Sequence, residues 1–89
     1  MKVVIYSKEN CAQCETVKKM LSTAGIAYKE KNVMDIPKFM DELYEVFPTI
    51  RSLPGVVFNG QKLDTGSAAV DAVRSKINEI AIQSGSLSL

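Results

Sequence analysis

The sequence lacks histidine and tryptophan and holds only two cysteines among its 89 residues. Structural zinc normally takes four Cys or His ligands, so one chain of this composition cannot complete such a site, and we expect no metal. The apolar runs are only a few residues long, too short for a membrane-spanning helix or for the core of a signal peptide. We therefore expect a cytoplasmic protein that makes no contact with a membrane.

The chain also lacks a large excess of positive or negative charge. The net charge is +1, and no basic stripe with interleaved aromatic residues runs along the chain, so we expect no nucleic-acid partner. The length allows one domain, and a hydrophobic content of 46% supplies one modest core. We place this domain at residues 1–82 and expect residues 83–89, which are rich in serine, to form a flexible tail.

The two cysteines, Cys11 and Cys14, lie where a predicted strand meets a predicted helix. A C-x-x-C at such a junction in a small α/β pattern is typical of a redox pair. A structural disulfide is rare in the cytosol, which also favours redox or metal chemistry. Two alternatives stay open: a zinc site shared by two chains, and a pair of inert core cysteines.

The pattern of apolar residues predicts the order β-α-β-α-β-β-α. We expect a four-stranded mixed sheet flanked by three helices, with its first two strands parallel. Gly25 is predicted to end the first helix, Asp35 to cap the second helix and Pro48 to end it, Asn59-Gly60 to make a hairpin turn and Ser67 to cap the last helix. The other predicted elements are strands over 3–6, 26–33, 56–58 and 61–64, and helices over 16–24 and 36–47.

The two cysteines are not expected to be equivalent. Cys11 lies at the start of the helix, where the helix dipole favours an anion, so we expect it to have the lower pKa and to be the attacking thiolate. Cys14 lies one turn further in, and we expect it to be buried and to resolve the mixed disulfide that Cys11 forms. Lys8 adds a positive charge near Cys11, or else is simply a solvated lysine of the loop.

Four stretches carry a resemblance to a known family. They are Tyr6-Ser7-Lys8, Cys11-Ala12-Gln13-Cys14, Arg51-Ser52-Leu53-Pro54 and Gly66. With them the chain resembles the glutaredoxin group of the thioredoxin superfamily, and within that group it looks most like the NrdH-redoxins. Some phage glutaredoxins mix features in a similar way, so a viral origin is one interpretation. The resemblance implies the thioredoxin-like fold and a dithiol–disulfide oxidoreductase that needs no cofactor.

The resemblance also implies roles for single residues. Pro54 matches the family's cis-proline, and the backbone of Leu53 would pair with an extended segment of the partner protein. Gly66 matches a glycine that a partner or glutathione approaches closely. The full set of implied partner-binding residues is Lys8, Ala12, Gln13, Arg51, Leu53, Pro54, Gly66 and Ser67.

The choice of reductant depends on a few of these positions. Glutathione-using glutaredoxins usually carry Pro-Tyr between the cysteines and an Asp three residues after the matching glycine, where this chain has Ala12-Gln13 and Ala69. Both differences favour an NrdH-like protein that thioredoxin reductase reduces. Arg51 agrees with the NrdH pattern, whereas Gly55 and the missing Trp depart from it.

The resemblance therefore predicts a monomeric redoxin that donates electrons to ribonucleotide reductase. The main alternative is a glutathione-dependent glutaredoxin. An alternative of another class is a redoxin-fold binding module without catalytic activity.

Overall fold

The computed structural model describes residues 2–83 and contains the predicted order of four strands and three helices. Its elements are β1 (Val3–Ser7), α1 (Ala12–Thr23), β2 (Lys29–Asn32), α2 (Pro37–Val46), β3 (Gly55–Phe58), β4 (Gln61–Thr65) and α3 (Gly66–Gln83). Residues 84–89 of the predicted tail lie outside the described residues. Within 2–83, no helix combines the length and the apolar character needed to cross a membrane.

The strands form one mixed sheet in the order β2-β1-β3-β4. β1 pairs in parallel with β2 and antiparallel with β3, and β3 pairs antiparallel with β4. The predicted mixed sheet and its parallel first pair are thus confirmed. This order leaves β2 at one edge of the sheet and makes β1, which leads into Cys11, a central strand.

Alternation along the strands gives the sheet two apolar faces. Val3 and Ile5 of β1 pack with Val17 and Leu21 of α1, and with residues of β3 and α3. We call this side the α1 face. Tyr6 and Val4 point to the opposite side and pack with Leu43 and its neighbours on α2, which we call the α2 face. A helical layer therefore covers each side of the sheet, as predicted.

Two elements near the cysteines differ in length from the prediction. α1 begins at Ala12 rather than at 16, because the Cys14 N–H donates to the sulfur of Cys11 and this bond caps the helix. β2 starts at Lys29 rather than at 26, since Ile26 and Tyr28 pack against the core before the strand begins. Apolar spacing reports burial: it overlooks a first helical turn fixed by a cap, and it includes buried residues that precede a strand.

The prediction that Asp35 caps α2 is wrong. The helix begins at Pro37 with Ile36 at the cap position, and no side chain caps it. Asn32 makes the turn instead, since its Oδ1 accepts hydrogen bonds from the N–H groups of Met34 and Asp35. α2 also ends at Val46, before Pro48, and the N–H of Phe47 donates to the Leu43 carbonyl group.

Glycines and an asparagine make the turns at which the chain changes direction. Gly25 follows α1 with φ +74°, and Asn59 and Gly60 both have positive φ in the β3–β4 hairpin, so these predictions are confirmed. Ser67 does not cap α3, because the helix already includes Gly66. Gly66 has φ +60° and makes the turn from β4 into the helix itself.

Candidate active site

Cys11 and Cys14 lie in the first turn of α1, just past the carboxyl end of β1. The loop between β1 and Cys11 contains Asn10 in the left-handed conformation, with φ 56°, which asparagine tolerates better than most residues. The two cysteines form a disulfide, and their Cα atoms are 5.2 Å apart. No group of at least three His, Cys, Asp or Glu side chains is placed to hold a metal in the described part of the chain.

The two sulfurs have different surroundings. Cys14 is fully buried, whereas Cys11 is only partly buried. The sulfur of Cys11 accepts the Cys14 N–H at 3.2 Å and lies 3.8 Å from the Leu53 carbonyl oxygen. When this sulfur is a thiolate, the same N–H and the helix dipole stabilise its charge. Only Cys11 is therefore both open to a partner and placed at the end of the helix.

The loop before β3 approaches the disulfide from the side. The peptide bond between Leu53 and Pro54 is cis, as the resemblance implied, and Pro54 is buried. The Pro54 carbonyl group accepts the Gly66 N–H at 2.9 Å. A Cβ atom at Gly66 would lie 2.3 Å from the Ser52 hydroxyl oxygen, which would have to rotate away, and φ is +60°, so the turn strongly favours glycine.

Apart from Pro54, the predicted partner-binding residues lie in three places. Ala12 and Gln13 lie on the first turn of α1, while Gly66 and Ser67 begin α3. Lys8, Arg51 and Leu53 line one cavity of about 200 Å³ between the redox loop and α2. The remaining residues of this cavity are Val33, Met34, Met40, Leu43, Tyr44, Ile50 and Ser52.

Sequence reasoning missed the apolar part of that cavity. Met34 and Tyr44 are strongly exposed for such large apolar side chains, at 67% and 52%. Met34 falls in the turn before α2, outside the helical spacing of apolar residues. This position outside any apolar pattern is the one signal in the sequence that could have indicated that Met34 lies at the surface rather than in the core.

Ala69 is fully buried in the core of the α1 face. The first turn of α3 contains no acidic residue, so it supplies no carboxylate at the position where the resemblance puts an Asp.

A polar cluster lies beneath α1, and we call Ser7, Lys18 and Glu30 the α1-face cluster. The hydroxyl of Ser7, which is fully buried, donates to Glu30 Oε2 at 2.6 Å, and Lys18 Nζ donates to the same oxygen at 2.8 Å. Lys18 also pairs with Glu15 at 2.6 Å. The hydrogen bond from Lys18, helped by that from Ser7, lowers the pKa of Glu30, and the bonds to Glu15 and Glu30 raise the pKa of Lys18.

A second cluster, which we call the α2-face cluster, comprises Tyr6, Lys31 and Glu42. The Tyr6 hydroxyl donates to Glu42 Oε2 at 2.6 Å, and Lys31 binds the same oxygen. Lys31, followed by Tyr6, lowers the pKa of Glu42. Burial, and then the contact with Glu42, raises the pKa of Tyr6.

The chain is similar to known proteins in both sequence and structure. A family model described as Glutaredoxin matches residues 3–63. The glutaredoxin-like protein NrdH of Lactococcus lactis subsp. cremoris is 46% identical over 44 residues. That match covers 49% of this chain and 61% of the relative, and the NrdH protein of L. lactis subsp. lactis matches to the same extent. The chain thus matches less than two thirds of the length of these curated relatives.

Solved structures share the fold at lower identity. The NrdH-redoxin from Escherichia coli has a TM-score of 0.68 at 22% identity, over 90% of this chain and 95% of that chain. A buckwheat glutaredoxin–glutathione complex has a TM-score of 0.67 at 22% identity, over 86% of this chain and 68% of that chain. Both likenesses concern the thioredoxin-like architecture.

Proposed function

The chain belongs to the glutaredoxin family, and we propose that it is a dithiol–disulfide oxidoreductase that reduces protein disulfides. The observation that carries this proposal is the unequal placement of the two sulfurs. Cys11 is open to a partner and accepts a helix N–H, whereas Cys14 is buried behind it. This arrangement supports one attacking thiol and one resolving thiol.

The proposed cycle balances as a two-electron exchange. The Cys11 thiolate attacks one sulfur of the partner disulfide, and the other partner sulfur leaves as a thiolate that takes a proton from solvent. Cys14 then loses its proton and attacks the Cys11 sulfur, which releases the second partner thiol. The partner gains two electrons, and the Cys11–Cys14 pair is left as a disulfide that a cellular reductant must reduce.

Two serine variants test these roles. Cys11→Ser should abolish the reduction of insulin disulfides, because no attacking thiolate remains. Cys14→Ser should still attack but should trap the partner as a mixed disulfide, which non-reducing mass spectrometry detects. Activity that survives in Cys11→Ser would reject the proposed attack, and a binding module without catalytic activity would show no turnover in the parent protein.

We propose ribonucleotide reductase as the protein substrate and thioredoxin reductase as the electron source. The names of the NrdH relatives and the Ala12-Gln13 pair support this choice. The absence of a carboxylate in the first turn of α3 supports it further, because the ammonium group of glutathione would lack a charged partner there. Such a loss costs about 1–3 kcal/mol.

Turnover with each reductant separates this proposal from its main rival. We expect faster reduction by thioredoxin reductase with NADPH than by glutathione with glutathione reductase. The double variant Ala12→Pro/Gln13→Tyr is a matched control, because Ala12 is the first residue of α1 and proline is well tolerated there. It should gain glutathione turnover, while efficient glutathione turnover by the parent chain would overturn the NrdH-like assignment.

We also propose that the protein works as a cytoplasmic monomer. The reducing cytosol keeps a C-x-x-C pair able to cycle. Native mass spectrometry and a metal assay would check the monomer, since a zinc site shared by two chains requires a metal-bound dimer.

A further inference from the structure

We propose that Glu30, held by Ser7 and Lys18, is a positioning residue that sets the pH range in which Cys14 can resolve a mixed disulfide. This inference rests on the proposed function, because it concerns the resolving step of that cycle. Glu30 lies on the edge strand β2, yet its carboxylate reaches both the central strand β1 and the redox helix α1. It thus joins the redox helix to the strand that leads into it.

The cluster lies in the same layer of the molecule as Cys14. Val3, Ile5 and Ser7 alternate onto the α1 face, and Cys14, Val17 and Leu21 are the buried residues of α1. Because α1 runs back along β1, Leu21 covers the start of the strand and Cys14 covers its end. The two lengths are similar. The step from Val3 to Ser7 along the strand rises about 13 Å, and the step from Cys14 to Leu21 along the helix rises about 10 Å. Ser7 therefore lies beneath the turn that holds Cys14.

Lys18 follows Cys14 by one helical turn, on the side of α1 that faces β2. Its side chain is only 18% exposed, and that of Glu30 is 35% exposed. A negative charge and a positive charge, bonded to each other, thus lie on the same face of the sheet as Cys14, whose thiol has to lose a proton in the resolving step. The carboxylate opposes a second negative charge on Cys14, whereas the ammonium group favours it.

Other charged groups are less well placed to act on Cys14. Tyr6, Lys31 and Glu42 belong to the opposite face of the sheet. The other charged residues of the elements and loops around Cys14 are exposed, as Glu30 is when the whole residue is considered, but none of them accepts the hydroxyl of the buried Ser7 as Glu30 does; they are Glu15 and Lys19 on α1, Lys8 and Glu9 before it, Lys29 on β2, Arg51 before Pro54, and Asp71 and Arg74 on α3.

The resolving step can be isolated with the disulfide reagent 5,5′-dithiobis(2-nitrobenzoate). Cys11 of the reduced protein displaces one thionitrobenzoate and stays bonded to the other. Cys14 then loses its proton to solvent and attacks the Cys11 sulfur, and the second thionitrobenzoate leaves with the electron pair. The absorbance of this second release, followed by stopped flow across the pH range, gives the midpoint for Cys14.

Two variants should move that midpoint in opposite directions. Glu30→Gln keeps the size and the hydrogen-bond acceptor but removes the negative charge, and should lower the midpoint by about half a pH unit. Below the midpoint, the second release should then be about twofold faster, because the lower nucleophilicity offsets part of the gain in thiolate. Lys18→Met should raise the midpoint by a similar amount.

The matched control is Glu42→Gln, which removes the equivalent carboxylate from the α2 face. We expect its midpoint to equal that of the parent protein. The inference is overturned if Glu30→Gln leaves the midpoint unchanged, if Glu42→Gln shifts it equally, or if Lys18→Met shifts it in the same direction as Glu30→Gln. A parent protein without any second release would instead contradict the proposed resolving role of Cys14, and with it this inference.

Discussion

Each face of the sheet holds a polar cluster of one hydroxyl group, one lysine and one glutamate. The strand supplies the glutamate on one face and the lysine on the other, and the helix supplies the opposite charge. On the α1 face, strand β2 supplies the carboxylate of Glu30 and the helix supplies Lys18. On the α2 face, the strand supplies Lys31 and the helix supplies Glu42. In each cluster a hydroxyl group from β1 completes the contact. The two clusters thus connect both helical layers to the same edge strand, but only the α1-face cluster lies on the side of the redox helix.

The apolar packing of the two faces is much less alike. Within residues 2–83, eight buried residues form the core of the α1 face and three form that of the α2 face. The α2 face also borders the cavity with the exposed Met34 and Tyr44. The α1 face is therefore the more extensively packed side, while the α2 face leaves apolar surface open.

The largest effect should come from one leucine on each face. Leu21→Ala should destabilise the protein by about 3–4 kcal/mol, because the surrounding core is large and cannot collapse into the cavity. Leu43→Ala should cost about 2–3 kcal/mol, since partly exposed neighbours can move to fill the space. Urea unfolding of the oxidised proteins measures both losses. Equal losses, or the reverse order, would contradict the packing difference between the faces.

A smaller effect should test whether the two clusters are equivalent. Ser7→Ala and Tyr6→Phe each remove one hydrogen bond to a carboxylate that keeps its lysine partner. We expect each variant to lose about 1 kcal/mol of stability. Unfolding of the two variants side by side makes the comparison. A much larger loss in one of them would show that its hydroxyl does more than complete the cluster.

The smallest effect should appear in acid. Glu30 and Glu42 have lowered pKa values in the folded protein, so each contributes stability above the pKa of an unfolded glutamate, about 4.3. That contribution is lost as the pH falls through the lowered folded pKa. Glu30→Gln and Glu42→Gln should therefore each show a shallower loss of stability between about pH 5 and pH 2.

Thermal unfolding across that pH range measures the effect, with Glu45→Gln, which changes an exposed glutamate of α2, as the control. This control should keep the slope of the parent protein. If only one of the two cluster variants changed the slope of stability against pH, the clusters would not be electrostatically equivalent.

The sequence allowed the fold and the redox pair to be predicted because their signals are local. The spacing of Cys11 and Cys14, the glycine after α1 and the Asn59-Gly60 turn each act within a few residues. The cis-proline was predictable only from the resemblance, since an X-Pro bond taken alone is seldom cis. The start of α2 was not predictable, because the turn before it is made by Asn32, which accepts the N–H groups of Met34 and Asp35, and the helix then begins without a side-chain cap.

The two clusters could not be predicted for a different reason. Ser7 and Glu30 are 23 residues apart, and Tyr6 and Glu42 are 36 apart. Their contacts arise only after strands and helices have packed, and a charged strand such as Lys29–Asn32 gives no sign of which helix each side chain will meet. The predicted strand over 3–6 also left out Ser7, whose burial, and hence its need for a hydrogen-bond partner, is evident only in the structure.

The exchanged charges have a consequence for strand β2, which is four residues long and buries no residue fully. Such a strand has little apolar pattern to hold it in place against β1, and a slip by one residue would turn every side chain to the other face. A slip in one direction would bring Glu30 opposite Tyr6, where it would meet Glu42, and Lys29 opposite Ile5, where it would meet Lys18. A slip in the other direction would bring Lys31 opposite Ile5, where it would meet Lys18. Each misaligned pairing therefore brings like charges together, and the first does so on both faces.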